Sequence, residues 1–438
     1  MVYLLNNKLL IIGNGFDLHL GLKSSFDDFF NYLFSKDHLD ICMNDDVNLS
    51  DDGSIKLTYQ QLDRISDLLD KKNTEEYQKK IKFWIAKILF PMDYGMFGKL
   101  VPNPNNNFWS YYFKYLSFFP NFDNVNDKFY NSPNSLSLKN WSDVEYQIQF
   151  MLENSQNIFQ SVNDLNKEVK KYGLSDDDVK HKQDIEINTL VNSLSTNNSI
   201  TFSDAINFNA LFIACMTGWK SSDESIYDFL FNELIEFENI FKDYLSKNIP
   251  QNYEKDALSF AKELTNAEDF NILNFNYTTF YSDKDPRKNN LHSTLHGSNH
   301  PIFGISSIGN NNEKNYSKPY YKFTKTYRIM SLTKLSLVKD FLPNDIDEIV
   351  FYGHSLSKID YLYFELVINK YINEFDNKNI TFTFKYSNYE YNGTIKNMEQ
   401  NQLELIYNLF NTISEQRDIN SLLQKLVLNQ NIKIKEVD

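Results

Sequence analysis

The first non-polar run, Lys8-Leu9-Leu10-Ile11-Ile12, is short, almost wholly apolar and closed by Gly13, which predicts a buried parallel strand entering a tight turn. A helix is predicted from Ser24. Ser24 and Ser25 each stand three positions before an acid, Asp27 and Asp28, and Phe26, Phe29, Phe30 and Leu33 follow at helical spacing. From about residue 36 to residue 260 helical patterning dominates, as in Ile226, Leu230, Leu234, Phe237, Phe241 and Leu245 on one helix face. Two loop-like stretches interrupt it, Pro102 to Asn107 and the acidic Ser175 to Asp178, with no repeat in either.

Strand patterning returns at Phe270 to Phe275, Leu291 to His296 and Glu348 to Gly353. Asp360 to Asn377 then reads as helix, Ile380 to Tyr386 as a β-rich run and Gln400 to Ile413 as an amphipathic helix, the order of a parallel α/β sheet. The two ends of the chain are therefore expected to build one Rossmann-like domain, residues 1–35 and 265–438, around a mostly helical insertion, residues 36–264.

Composition narrows the function. A chain of 438 residues, 42% hydrophobic and 16% aromatic, has the means to bury a sizeable core. A net charge of −14 repels phosphate backbones and anionic lipid, so broad attraction to nucleic acid or membrane is not expected. No run approaches the ~20 apolar residues of a membrane span, and the chain is expected to be cytoplasmic. Cys42 and Cys215 are the only cysteines, too few for a disulfide framework or a four-thiolate zinc site. The sequence is rich in Asn and Tyr, so such residues carry weight only inside a motif.

Four motifs stand where strands turn toward helices or end. Gly13-Asn14-Gly15-Phe16-Asp17 follows the first strand, where glycines let phosphate approach backbone N–H groups, although a tight turn accounts for it equally well. Asn274-Phe275-Asn276-Tyr277-Thr278 ends the second strand, where an amide can hold ribose hydroxyls or simply cap the strand. In Leu291 to Ser298, strand alternation would send His292, Thr294 and His296 to one side, with His296 beside Gly297 as the better general base and His292 as a structural histidine. His292, His296 and His300 recur at metal-ligand spacing for a helix, but Gly297, Asn299 and Pro301 oppose one, so no metal is expected. Gly353-His354-Ser355-Leu356 follows another strand with hydroxyls suited to ribose or phosphate, while Ser357 and Asp360 resemble a helix cap. Ser142 and Glu145, with Trp141 and Tyr146, read as a capping box and hydrophobic staple.

Taken together, the segments Ile12 to Asp17, Asn274 to Thr278, His296-Gly297 and Gly353 to Leu356 resemble the AbiH family of bacteriophage abortive-infection proteins, as do Trp141 to Glu145 and Phe303-Gly304-Ile305. More remotely, Gly13-x-Gly15-x-Asp17 followed by Gly21-Leu22 is similar to the glycine pattern of the sirtuin-like NAD-binding superfamily. This resemblance implies NAD as substrate or ligand, with Asn276 and His296 in catalysis. Gly13, Asn14, Gly15, Phe16, Asp17, Asn274, Gly353, His354 and Ser355 would line the cofactor site. Asp17 stands for a serine of that pattern, Lys23 for a proline and Thr278 for an aspartate. A sirtuin deacetylase would need four zinc-binding cysteines, which this chain lacks.

The activity expected from the resemblance is hydrolysis of NAD to nicotinamide and ADP-ribose during phage infection. The leaving group departs neutral, so positioning carries most of the catalysis. Two alternatives stay open: a non-catalytic sensor of NAD or a related nucleotide, and a metal-dependent nuclease. The partners expected are that nucleotide, a phage-derived trigger or second defence protein, and further copies of the chain.

Overall fold

The computed structural model describes residues 7–33, 107–117, 141–160, 223–282, 285, 287–291, 294–295, 301–307, 315–332, 342–357, 360–373, 380–391, 394–396, 398–417 and 422–437. The chain divides into two compact units, one of residues 1–25, 241–306 and 324–438, the other of 26–240 and 307–323. The expected two-ended organisation had its boundaries at 35/36 and 264/265. In the structure the sheet-bearing unit also includes residues 241–264, whereas 26–35 and 307–323 fall in the other unit.

A six-stranded parallel sheet forms the first unit. Its strands are β1 (Lys8–Ile12), β2 (Asn271–Asn274), β3 (Lys288–Asn290), β4 (Glu348–Tyr352), β5 (Thr381–Tyr386) and β8 (Ile432–Glu436), in spatial order β3-β2-β1-β4-β5-β8. Numbered along the sheet this is the 3-2-1-4-5-6 order of the doubly wound Rossmann-like fold. A hairpin, β6 (Tyr389–Tyr391) and β7 (Thr394–Lys396), stands apart.

Alternation along each strand sends side chains to two faces, and both are covered, which is why β1 reads as a continuous apolar run. On one face Leu10, Ile12, Ile272, Val350 and Tyr352 pack with Tyr253, Ala257, Phe260, Ala261 and Leu264 of a helix at Tyr253–Thr265. That helix ends at Asn266, which adopts the left-handed conformation (φ 48°) and donates its amide to Glu263 O, while Ala267 N–H reaches Lys262 O. On the other face Leu9, Ile11, Ile349, Phe351, Phe382 and Phe384 pack with helices at Tyr361–Asn373, Glu399–Arg417 and Leu422–Leu428.

In chain order the helices are α1 (Asn14–His19), α2 (Phe26–Leu33), α3 (Phe108–Ser117), α4 (Trp141–Glu153), α5 (Asp223–Asn248), α6 (Tyr253–Thr265), α7 (Lys325–Leu332), α8 (Tyr361–Asn373), α9 (Glu399–Arg417) and α10 (Leu422–Leu428). The second unit is helical over its described residues and has an aromatic core. Phe29, Phe30, Phe113 and Phe237 meet edge-on or tilted, and Trp109 Nε1 donates to Leu230 O at 2.9 Å. The carboxylate of Glu233 on α5 accepts the Phe108 N–H, satisfying an amide at the start of α3 that has no partner within its own helix. Glu145 on α4 is buried. Both loop-like stretches expected in the insertion lie outside the described residues, apart from Asn107.

One expected strand moves. Leu291 to His296 has the alternation of a strand, but the paired strand is Lys288–Asn290, in register with Ile272–Asn274. Leu291, Thr294 and Leu295 are irregular, so the alternation that grouped His292, Thr294 and His296 on one face does not hold for Thr294. The physical reason is that the chain pairs through a polar segment, Lys-Asn-Asn, and Leu291 N–H only extends that pairing by one bond to Asn274 O.

Candidate functional site

Strand order reverses between β1 and β4, since the chain moves outward to β2 and β3 on one side and to β5 and β8 on the other. Ligands of open α/β sheets bind outside the carboxyl ends of the strands at such a point. The loops there are Gly13–Asp17 after β1 and Gly353–Leu356 after β4, so two of the four motifs meet at the switch point.

These loops lock together through backbone. Gly15 N–H donates to Gly353 O at 2.7 Å, Gly13 N–H to Tyr352 O at 3.1 Å and Phe16 N–H to Gly13 O at 2.8 Å. A Cβ on Gly353 would lie 2.3 Å from Phe16 N, and one on Gly15 would lie 2.6 Å from Gly353 Cα. Glycine is therefore required here by loop packing. Three of the four amides from Gly13 to Phe16 are already engaged, so the loop does not form an open cradle for a pyrophosphate.

The other residues of the first motif also have structural partners. Asn14 Oδ1 accepts from Ser24 Oγ at 2.6 Å and its Nδ2 donates to Ser24 O at 3.2 Å, pinning the chain before α2. Phe16 is fully buried against Phe260 and Phe280, with ring centroids 5.5 Å away in each case.

Asp17 is the centre of a buried polar cluster. Its Oδ1 accepts from Tyr253 Oη at 2.6 Å and Asn276 Nδ2 at 3.1 Å, and its Oδ2 accepts from Thr278 Oγ1 at 2.7 Å. Burial pushes its carboxyl up to about 6, against three hydrogen bonds that favour the charged form. Burial, with the Asp17 charge beside it, also raises the Tyr253 phenol, so Tyr253 stays protonated and donates.

Asn276 Nδ2 also donates to Gly13 O at 3.0 Å, tying the end of β2 to the end of β1. Asn274, with no exposure, shapes the turn itself: its Oδ1 accepts the Asn276 N–H and its Nδ2 donates to Thr278 O. Leu295 N–H donates to Tyr277 O at 3.1 Å, anchoring the residue before His296 beside this cluster. His292, His296, Gly297 and His300 themselves lie outside the described residues.

In the second loop the His354 side chain is buried. Its Nδ1 accepts the Leu356 N–H at 2.9 Å, so the ring proton sits on Nε2, which is 3.7 Å from Asp360 Oδ2. Burial lowers its pKa to about 4; Asp360 opposes this and Lys325 adds to it, so the ring is neutral at pH 7. Lys325 Nζ pairs with Asp360 Oδ1 at 2.7 Å, both side chains under a tenth exposed. Gly353 (φ 69°) and the buried Leu356 (φ 46°) are both left-handed, a strained arrangement for leucine, and the exposed Ser355 stands between them.

Sequence reading missed Tyr253 and Lys325. Each lies far along the chain from its carboxylate partner, in a helix whose local pattern signals only packing. Among the described members of the expected set, the exposed Ser355 is the one best placed to reach a ligand.

Fold and site together define a doubly wound, Rossmann-like α/β protein with a buried carboxylate cluster and a strained loop at its switch point. The chain belongs to the AbiH family: the family model for bacteriophage abortive infection AbiH matches residues 9–386. Membership gives it an antiphage, abortive-infection role. No curated protein and no solved structure matched the chain. Among the described residues no helix is long and apolar enough to cross a membrane.

Proposed function

We propose that this abortive-infection protein binds NAD at the carboxyl edge of the sheet between β1 and β4 and hydrolyses its nicotinamide–ribose bond. The observation that carries the proposal is the strand order, whose reversal falls where the Gly13–Asp17 and Gly353–Leu356 loops meet. Ser355 offers a hydroxyl to the nucleotide there. In the reaction water adds to ribose C1′, the bond to nicotinamide breaks with its electron pair passing to the ring nitrogen, and the water gives up a proton. His296 is the proposed base, because it follows Leu295, which is tethered to Tyr277 between Asn276 and Thr278. Asn276 and Asp17 act in this reading as positioning residues, since their hydrogen bonds join the ends of β1 and β2.

The test is incubation of purified protein with NAD, following nicotinamide and ADP-ribose, with His296→Ala alongside and with chelator present and absent. Release that resists chelation and is lost in His296→Ala is expected. Release abolished by chelator would reject the metal-free reaction.

A second reading, a nucleotide sensor, is favoured by the saturation of Asp17. Its carboxylate already receives three donors, so the cluster supports the loops without needing a ligand. Saturable binding of NAD or ADP-ribose with no release of nicotinamide would select that reading.

A further inference from the structure

If the glycine loop spends its amides on backbone, the phosphates of a nucleotide need their counter-charge elsewhere on the same edge. Register locates candidates. Asn274, Ile12, Tyr352, Lys385 and Lys435 occupy matched positions across five neighbouring strands, so their side chains share one face near the carboxyl ends. Ile12 and Tyr352 are covered by α6, whereas Lys385 is half-buried and Lys435 is exposed. Two lysines thus stand opposite each other on strands about 4.8 Å apart.

Like charges directly opposite each other destabilise a sheet, so the pairing calls for a cause. Lysine on an edge strand discourages aggregation, which accounts for Lys433 and Lys435 on β8. It does not account for Lys385, which lies one strand in. Glu348 and Glu263 act on Lys385 from a distance, but neither forms an ion pair with it. Glu348, on the same face, is paired with Lys8 at 2.9 Å and accepts from Thr383 Oγ1, and among the described residues Lys385 and Lys435 make no ion pair. Lys385 stands directly beside Tyr352, the residue that leads into the Gly353 loop. Tyr352 in turn shares a hydrogen bond with Ser387 and lies edge-on to the ring of His19, which ends α1.

We propose that Lys385 and Lys435 form the phosphate subsite of the ligand bound at the switch point, taking a pyrophosphate-bearing nucleotide. This rests on the nucleotide-binding reading above and adds to it the residues that neutralise the phosphates. An opposed pair of ammonium groups is disfavoured when empty and is relieved when an anion lies between them. Burial, then Lys435 and Lys8, lower the Lys385 pKa, against the opposing pull of Glu348 and Glu263.

The test uses the full chain and two probes in separate calorimetric titrations, inorganic pyrophosphate and NAD, on wild type, Lys385→Met and Lys435→Gln. Lys435 is exposed on the edge strand, so Lys435→Gln tests the subsite independently of any change in packing around the half-buried Lys385. Wild type is expected to bind pyrophosphate saturably, more weakly as salt rises, and each substitution to weaken it about ten-fold or more. Wild type that fails to bind pyrophosphate, or binding unchanged in both variants, overturns the subsite. Pyrophosphate binding lost in the variants while NAD binds nowhere keeps the subsite and removes NAD as its ligand. NAD binding that survives both substitutions keeps the nucleotide reading and rejects these lysines.

Discussion

Replacing Gly353 by alanine should destabilise the sheet unit by about 2–5 kcal/mol, from two separable sources. The residue sits at φ 69°, where a side chain costs about 1–2 kcal/mol. Its new Cβ would also lie 2.3 Å from Phe16 N and 2.7 Å from Gly15 C. Both are backbone atoms of the interlocked loop and cannot swing aside as a flexible side chain would, so overpacking adds about 1–3 kcal/mol. Gly21 supplies the control: it is also left-handed (φ 78°) but its Cβ would meet nothing within 4 Å, so Gly21→Ala should cost only the backbone share, about 1–2 kcal/mol. Urea unfolding followed by circular dichroism measures both. All four tryptophans, at 84, 109, 141 and 219, fall in the other unit, so their fluorescence provides an internal reference. A Gly353→Ala midpoint no lower than that of Gly21→Ala would refute the interlock. The outcome also governs how glycine variants are read in phage assays, because lost defence in Gly353→Ala or Gly15→Ala would then reflect a damaged fold before it reflected a lost ligand.

Asp17 and His354 should contribute opposite pH dependences over the same range. Folding raises Asp17 to about 6, so its contribution is fully favourable below pH ~4 and is lost as pH rises through 6, a cost on the order of 3 kcal/mol at neutral pH that Asp17→Asn should remove. Folding lowers His354 to about 4, so stability present above pH ~6.5 is lost as pH falls toward 4, again on the order of 3 kcal/mol; His354→Asn should flatten that decline, read from urea midpoints between pH 4 and 8. If neither difference curve, wild type minus variant, slopes in its stated direction, the burial of these two groups is not what shifts them. Tyr253→Phe removes one of three donors to a buried carboxylate and should cost about 1.5–3 kcal/mol in urea unfolding, and a loss below 0.5 kcal/mol would show that the phenol does not support Asp17. Lys385→Met should raise the urea midpoint, by up to about 1 kcal/mol of stability, by ending the opposition to Lys435; a lowered midpoint would mean that the two charges do not repel.

The sheet was legible where burial on both faces leaves an unbroken apolar run. Lys8–Ile12 was read to the residue, and β4, β5, α8 and α9 were found within a few residues of their ends. β3 was displaced because Lys288-Asn289-Asn290 carries no hydrophobic signal, its place being fixed by pairing to β2. β8, with the sequence Ile-Lys-Ile-Lys-Glu, did carry the alternation of a half-buried edge strand and could have been found. α1 has only six residues, too few to show a helical period. At the site, sequence located the right loops but not the work done by their side chains. Asn14 was a candidate for the cofactor site and Asn274 and Asn276 for ribose, and each proves to hold the chain in place. The partners of Asn276, Gly13 and Asp17, lie as far as 263 residues away, and local pattern cannot reveal them.

Asp17 and Thr278 bear on one another. In the structure Thr278 Oγ1 donates to Asp17 Oδ2 at 2.7 Å, so the two positions bring together one hydroxyl and one carboxylate. The end of β2 supplies no acid at position 278, yet the cluster has a buried carboxylate within 3.1 Å of the Asn276 amide. That carboxylate comes from α1, which follows β1, and it also accepts from Tyr253 on α6. α6 is the last helix before β2, the point at which the long insertion returns to the sheet. A double exchange, Asp17→Ser with Thr278→Asp, should therefore retain more stability than either single substitution, whereas independent positions would give additive losses.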